Sequence, residues 1–375
     1  MPFHQLHPDI GMNFQINRVL TYGEQAGNLE EIQAIVPRIH DFETWYTEWT
    51  NLAINAEKER RCLHAAFGYR MAEFFLTDDR PEKMLSYESF IRCFYQAIDQ
   101  TNIECLDIPY DGRTLPAIRF QAPNEKGVIV VHGGYDSFIE EFYLTVKQLP
   151  SMGYTIILFE GPGQGAALKR QGFKFTHEWE KPVGAILDHF NLNQATLLGI
   201  SWGGYLALRA AAFDKRIERV IAYDVCFDGL DVMTRPIPTP IRQIVRLLIQ
   251  TNSQGFGNVL VQRMMKRSLL LDWAVTHGMY ITGSQAPIDF YRQLALHTMR
   301  SISSRVDQDV LLLAGEKDHY IPLHQFHQQR NALINARSLK SRLFTVAEGG
   351  EQHCQVGNHQ LAVDEMISWL DSFSD

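Results

Sequence analysis

A chain of 375 residues is long enough to bury a large core, as one big domain or two of ordinary size, which excludes a peptide hormone or a disulfide-held mini-scaffold. With 45% hydrophobic and 21% charged residues, its balance is that of a folded globular protein. The net charge of -8 argues against a nucleic-acid partner, and five scattered cysteines (Cys62, Cys93, Cys105, Cys226, Cys354) fit neither a disulfide framework nor a zinc site.

The N-terminal stretch MPFHQLHPDIGMNF has no basic segment followed by an apolar one, and no apolar run approaches the roughly 18 residues that span a bilayer. The expectation is a soluble, cytoplasmic protein with reduced thiols and no stable membrane association. From about residue 28 to 101, apolar residues recur at three- and four-residue spacing, so residues 1–102 read as a helical region. Asp79 with Glu82 reads as a capping box, and Pro81 fits a first helical turn.

At residue 103 the texture changes. ECLDIPYDGRTLPAIRFQAP reads as two strands joined by the turn YDGR. Apolar runs follow at 127–131, 155–159, 195–200, 219–225, 309–315 and 341–347, separated by helical stretches. Such runs predict an α/β fold, a mostly parallel sheet covered on both faces, over residues 103–375. More than eighty residues separate the strands near Val225 and Asp309, so about 227–305 reads as an inserted helical cap. Pro236, Pro238 and Pro240 break the chain there, before the helical stretches IRQIVRLLIQ and NVLVQRMMKRSLLLDWAV.

GISWGG, residues 199–204, fits G-x-S-x-G between a strand and a helix. In that context the serine sits on a strained turn, its hydroxyl projects above the sheet, and the helix start offers free N–H groups to an oxyanion. Ser201 is therefore the candidate nucleophile. It needs a base, and the base needs an orienting acid further along the chain. Asp318, in LLLAGEKDHYIP, and His353, in AEGGEQHCQVG, each follow a strand and project from the same sheet edge. Glu316 competes with Asp318; His319, His324, His327 and His359 compete with His353.

HGGY, residues 132–135, follows a strand, and its backbone can face the serine. Gly134, or alternatively Tyr135, together with the N–H of Trp202 would form an oxyanion hole; a simple tight turn is the competing reading. His132 reads as structural. EGPGQG, residues 160–165, lacks both the lysine of a P-loop and the spacing of a dinucleotide fingerprint, and reads as a rigid turn beneath the site. No cofactor is expected, nor a metal, since no carboxylate-histidine spacing supports a ligand set.

Taken in order, HGGY, EGPGQG, GISWGG, GEKD and GGEQHC behind a helical region resemble the α/β-hydrolase superfamily. More narrowly, the helical region, GGYDSFIEE and EGPGQG resemble the group of fermentation-respiration-switch-like hydrolases, 2,6-dihydroxypseudooxynicotine hydrolases and fungal polyketide-shortening hydrolases. The resemblance implies a Ser201, Asp318, His353 triad and hydrolysis of a carbon–carbon bond next to a ketone in a small molecule. It also implies a homodimer, as in some members. In the nicotine-pathway branch a glutamate near the oxyanion loop assists catalysis; the matching place here holds Asp136, an aspartate. Glu140 and Glu141 read as helix-start residues complementing the dipole. Esterase, thioesterase or short-peptide hydrolase activity would use the same machinery. A non-catalytic binding module on this fold is a further alternative.

Overall fold

The computed structural model describes residues 2–235, 237–250 and 254–373. Pro236, one of the three predicted breaks in the cap, lies outside the described residues.

Five helices precede the sheet: α1 (Ile10–Thr21), α2 (Leu29–Ile35), α3 (Phe42–Lys58), α4 (Cys62–Phe74) and α5 (Pro81–Ala97). The helical spacing from residue 28 onward corresponds to α2 to α5, but α1 escapes it. Residues Gly11 to Asn17 of α1 are all buried, polar ones included, so no apolar stripe alternates with a wet face. Its asparagines instead hold the N-terminal segment: Asn13 Oδ1 accepts the N–H groups of Leu6 and His7, and Asn17 Oδ1 that of His4. At α5 the expected capping box is absent. Arg80 is the N-cap without a side-chain bond, Asp79 accepts the Thr77 hydroxyl, and Glu82 pairs with Arg80. Pro81 does open the helix, where its missing N–H has no partner to lose.

The sheet has eight strands: β1 (Ile103–Tyr110), β2 (Arg113–Phe120), β3 (Gly127–His132), β4 (Tyr154–Phe159), β5 (Ala195–Ile200), β6 (Ile217–Tyr223), β7 (Asp309–Gly315) and β8 (Ser338–Phe344). Their spatial order is β1-β2-β4-β3-β5-β6-β7-β8; β1 and β2 form an antiparallel hairpin, β2 meets β4 antiparallel, and the remaining pairs are parallel. The predicted turn between β1 and β2 is present, with Asp111 and Gly112 at positive φ. β8 begins three residues before the apolar run at 341–347. It is an edge strand whose first four residues are exposed, so hydrophobicity marks only its inner end.

The apolar runs are continuous because alternate side chains enter different layers. On β7, Val310 and Leu312 join one core, Leu311 and Leu313 the other. Helices α6 (Ile139–Val146), α7 (Gly165–Lys169), α8 (Glu180–His189) and α9 (Gly203–Phe213) follow β3, β4 and β5. Val183 and Ile186 of α8 and Leu206 of α9 cover the first face with the N-terminal helices. Phe142 of α6 covers the other, with Met366 and Trp369 of the last helix. Between β6 and β7 lie α10 (Gly229–Thr234), α11 (Thr239–Gln250), α12 (Gln254–Met265), α13 (Leu269–Thr282) and α14 (Pro287–Ala295); α15 (Leu323–Ala332) and α16 (Gln360–Asp371) follow β7 and β8. Ser268 starts α13 by accepting the Leu271 N–H, which divides the stretch NVLVQRMMKRSLLLDWAV into two helices.

Candidate active site

Ser201 follows β5 with φ of 64°, a left-handed conformation that costs a side-chain-bearing residue free energy. The surrounding contacts enforce it. Ser201 donates its N–H to Tyr223 O, and Gly204 donates to Ser201 O at 2.9 Å. α9 returns so close beneath β5 that a Cβ on Gly199 would lie 1.9 Å from Gly203 O; only glycine fits there. The turn therefore lifts the serine above the sheet, at the start of α9.

There the structure brings together Ser201, His353 and Asp318. Ser201 Oγ lies 2.8 Å from His353 Nε2, and His353 Nδ1 lies 2.6 Å from Asp318 Oδ2. Asp318 is oriented in turn by the N–H groups of Tyr320 and Ile321, which its Oδ1 accepts at 2.7 and 2.8 Å. Burial opposes its charge, but His353 and these donors outweigh it and hold its pKa below the ordinary 3.8. Burial likewise disfavours the His353 imidazolium. The charge of Asp318, with a further contribution from Asp224, reverses that and holds its pKa well above 6.5.

None of the alternative residues takes the place of Asp318 or His353, although His319 and His359 line the cavity above Ser201. Glu316 accepts the N–H of Val346, His324 faces Asp231, and burial drives His319 down to about 3. Sequence reasoning missed Asp224, which stands after β6 with Oδ2 3.2 Å from His353 Nδ1. The predicted strand, 219–225, ran through it; only because β6 ends at Tyr223 does Asp224 stand directly after a strand, as Asp318 does.

The HGGY loop packs on the turn that carries Ser201. Gln164 Nε2 donates to Gly133 O at 2.9 Å and to Gly134 O at 3.1 Å, so EGPGQG braces this loop. With those carbonyls drawn back, the trans peptide N–H groups of Gly134 and Tyr135 point the opposite way. Neither they nor the N–H of Trp202 donates to any other group among the described residues. A Cβ on Gly134 would sit 2.7 Å from Trp202 N and 2.6 Å from Trp202 Cβ. Gly134→Ala should therefore push the loop off the turn and slow fluorophosphonate labelling of Ser201 by about 100-fold, the scale of losing one oxyanion donor, with circular dichroism unchanged.

Helices α1, α10 and α13 line the space above. Tyr135 OH donates to Ala274 O at 2.6 Å and His277 Nε2 to Tyr135 O at 3.0 Å, tying the loop to α13. Arg235, at the end of α10, donates to Asp318 O at 2.9 Å. The cavity, about 150 Å³, is walled by Phe14, Tyr22, Phe142, Trp202, Trp273 and Tyr320, with Ser201 and His353 on its floor. Trp202 is also core, since its indole donates to His297 Nδ1 at 3.1 Å.

Asp136 lines the cavity, with its carboxylate held by Arg18 at 2.9 Å. Burial opposes the charge, but Arg18 and then Arg70 keep its pKa below 3.8. It is an anion at neutral pH, suited to holding a cation and not to donating a proton. Glu141 accepts the Phe138 N–H at the start of α6, as a helix-start residue should. Glu140 departs from that reading: it is buried near Tyr95 and Glu160, and burial, then the charge of Glu160, pushes it up to about 8. His132 is fully buried, and burial drives it down to about 4, consistent with a structural residue.

The five cysteines are all free thiols. No described helix is long and apolar enough to cross a membrane.

Residues 127–351 match the model of the alpha/beta hydrolase fold family. Among curated proteins, the chain is similar to hydrolase acrC of Aspergillus aculeatus, at 27% identity with 98% of this chain and 97% of that protein covered. The 20-hydroxy-prefusarin hydrolase FUS2 of Gibberella moniliformis is 27% identical, with 98% of each covered. Among solved structures, 2,6-dihydroxy-pseudo-oxynicotine hydrolase superposes with a TM-score of 0.71 at 19% identity, covering 95% of this chain and 94% of that one. AbyA5 superposes with a TM-score of 0.67 at 18% identity, covering 91% and 90%. With the family match spanning more than half of the sequence, from β3 through the loop before His353, the chain belongs to the alpha/beta hydrolase fold family and is a hydrolase.

Proposed function

We propose that the protein is a serine hydrolase that cleaves a carbon–carbon bond next to a ketone in an aromatic or polyketide-like small molecule. The observation that carries the reading is the hydrogen-bonded chain Ser201–His353–Asp318 on the floor of an aromatic-walled cavity. His353 Nε2 takes the Ser201 proton while Oγ bonds the substrate carbonyl carbon. The oxygen becomes an anion held by the N–H of Trp202 and that of Gly134 or Tyr135. Asp318 keeps the Nδ1 proton in place and stabilises the imidazolium.

As the tetrahedral adduct collapses, the carbon–carbon bond breaks and its electron pair leaves as the enolate of the second ketone. The His353 imidazolium returns its proton to that enolate. Water, deprotonated by His353, then attacks the acyl-enzyme, releasing a carboxylic acid and free Ser201. Asp136, held by Arg18 as an anion, acts in this scheme as a positioning residue on the cavity wall.

An ester would be cleaved by the same steps with an alkoxide leaving. Similarity to a hydrolase named for 20-hydroxy-prefusarin supports a small-molecule substrate. Paired β-diketones and aryl esters, with products identified by mass, test the bond broken. The proposal expects two ketone-derived fragments, one of them a carboxylic acid, at higher kcat/KM than any matched ester. Ester hydrolysis with the diketones left intact would replace it by the esterase reading.

A further inference from the structure

His353 Nδ1 faces two carboxylates. Asp318 Oδ2 lies 2.6 Å away and Asp224 Oδ2 3.2 Å, their side chains only 4% and 1% exposed. They approach from the ends of adjacent strands, β7 and β6, whose neighbour β5 carries Ser201.

The two acids are held differently. Asp318 spends one oxygen on two backbone N–H groups and the other on His353. Asp224 accepts the Cys354 N–H at 2.7 Å with the oxygen that also faces His353, and its Oδ1 meets no partner among the described residues. A buried anion satisfied this sparsely is costly unless a cation forms beside it. The one place where a cation forms is the imidazole itself, each time Nε2 takes a proton.

We propose that Asp224 is a second acid for His353: a positioning residue that shares the Nδ1 proton with Asp318, strengthens the imidazole as a base and sustains the reaction when Asp318 is removed. This rests on the serine-hydrolase reading above. No proton leaves Nδ1 in the step. The Ser201 Oγ–H bond breaks, the Nε2–H bond forms, and the positive ring then lies between two anions.

The other groups around the ring do not imitate this. Ser201 faces it from the turn after β5, and Tyr223, Asp224 and Cys226 approach along the β6 edge. Asp318, His319 and Tyr320 come from the loop after β7, Cys354 adjoins it, and α1 contributes the uncharged ring of Phe14. Arg235 adds a permanent charge behind Asp318 and His319. Burial keeps His319 neutral above about pH 3 and raises Tyr223, Tyr320, Cys226 and Cys354 out of the neutral range. Burial, then the Asp318 charge, pushes Asp224 up from the ordinary carboxylate value, while the facing His353 and the Cys354 N–H hold it down.

The test is the rate at which a fluorophosphonate probe labels Ser201 in the full chain between pH 5 and 9. In the wild type the rate rises with pH as His353 loses its proton, with a midpoint above 6.5. Asp224→Asn keeps an oxygen for the Cys354 N–H and removes one negative charge beside the ring, so its midpoint should fall by about one pH unit. Asp318→Asn should slow labelling by about 10- to 100-fold. The Asp318→Asn/Asp224→Asn double variant should lose about 10⁴-fold, the scale seen when an imidazole has no acid partner.

An Asp224→Asn midpoint that stays put or rises overturns the proposal, as does Asp318→Asn labelling no faster than the double variant. The Asp318→Asn rate leaves Asp224 intact and decides alone should Asp224→Asn fail to fold. If wild-type Ser201 does not label at all, the serine-hydrolase reading fails and this inference with it. A labelled wild type with an unmoved Asp224→Asn midpoint sinks the Asp224 role alone.

Discussion

Ser201→Ala should lower turnover on the best substrate by about 10⁴- to 10⁶-fold while leaving the fold intact. The hydroxyl forms one hydrogen bond, to His353 Nε2 at 2.8 Å, at the cavity floor, and its loss leaves no buried charge unpaired. What disappears is the atom that would bond the substrate carbon. Residual rate should then reflect oxyanion-hole binding and general-base attack by water. The check pairs steady-state kinetics with thermal unfolding: unchanged stability with collapsed kcat assigns the loss to chemistry. Turnover at the wild-type rate would remove Ser201 as nucleophile.

Arg18→Met should cost about 3–5 kcal/mol of stability, the scale of stranding buried partners of an ion pair. Arg18, on α1, pairs with Asp136 at 2.9 Å and with Glu141 at 2.8 Å. Glu141 also meets Arg70 at 3.1 Å, and Arg70 meets Glu73 at 2.7 Å, which Lys83 and Lys169 neutralise further. Four cations thus interleave with three carboxylates between the N-terminal helices and the sheet domain. Methionine fills much of the volume but leaves Asp136 and Glu141 short of positive charge.

Urea unfolding should show the loss, and neutralising the anions in Arg18→Met/Asp136→Asn/Glu141→Gln should recover part of it. The pH dependence has a definite sign. The folded-state pKa of Asp136 is depressed, so its stabilisation is present above pH 3.8 and is lost as pH falls through the lower folded value. The gap between wild type and Arg18→Met should narrow on that acid side. Full stability of Arg18→Met at pH 7 would contradict the account. Because α1 also supplies Phe14 to the cavity wall, turnover should fall with its docking.

Much of this layout is legible in the chain because strand ends on a parallel sheet gather at one edge. Ser201, Asp318 and His353 were each marked by a strand before them, and the structure joins them through two hydrogen bonds. Asp224 was hidden because the apolar run 219–225 swallowed it, whereas β6 ends one residue before it. Asp136 was reached by resemblance alone; its pairing with Arg18 depends on α1, whose buried asparagines and glutamine hide the helical period. The capping box at Asp79 shows the reverse error, a local pattern whose donors and acceptors found other partners.

By itself, the sequence determined the alternation of strands and helices, the serine turn and the long helical insertion between β6 and β7. These follow from local periodicity and from glycine and proline, whose effects act within a few residues. Only the tertiary structure decided that α1 lines the cavity, that Gln164 braces the HGGY loop and that two acids meet one histidine. Those contacts join residues tens to hundreds of positions apart, and their energies come from desolvation and charge pairing that no local pattern encodes.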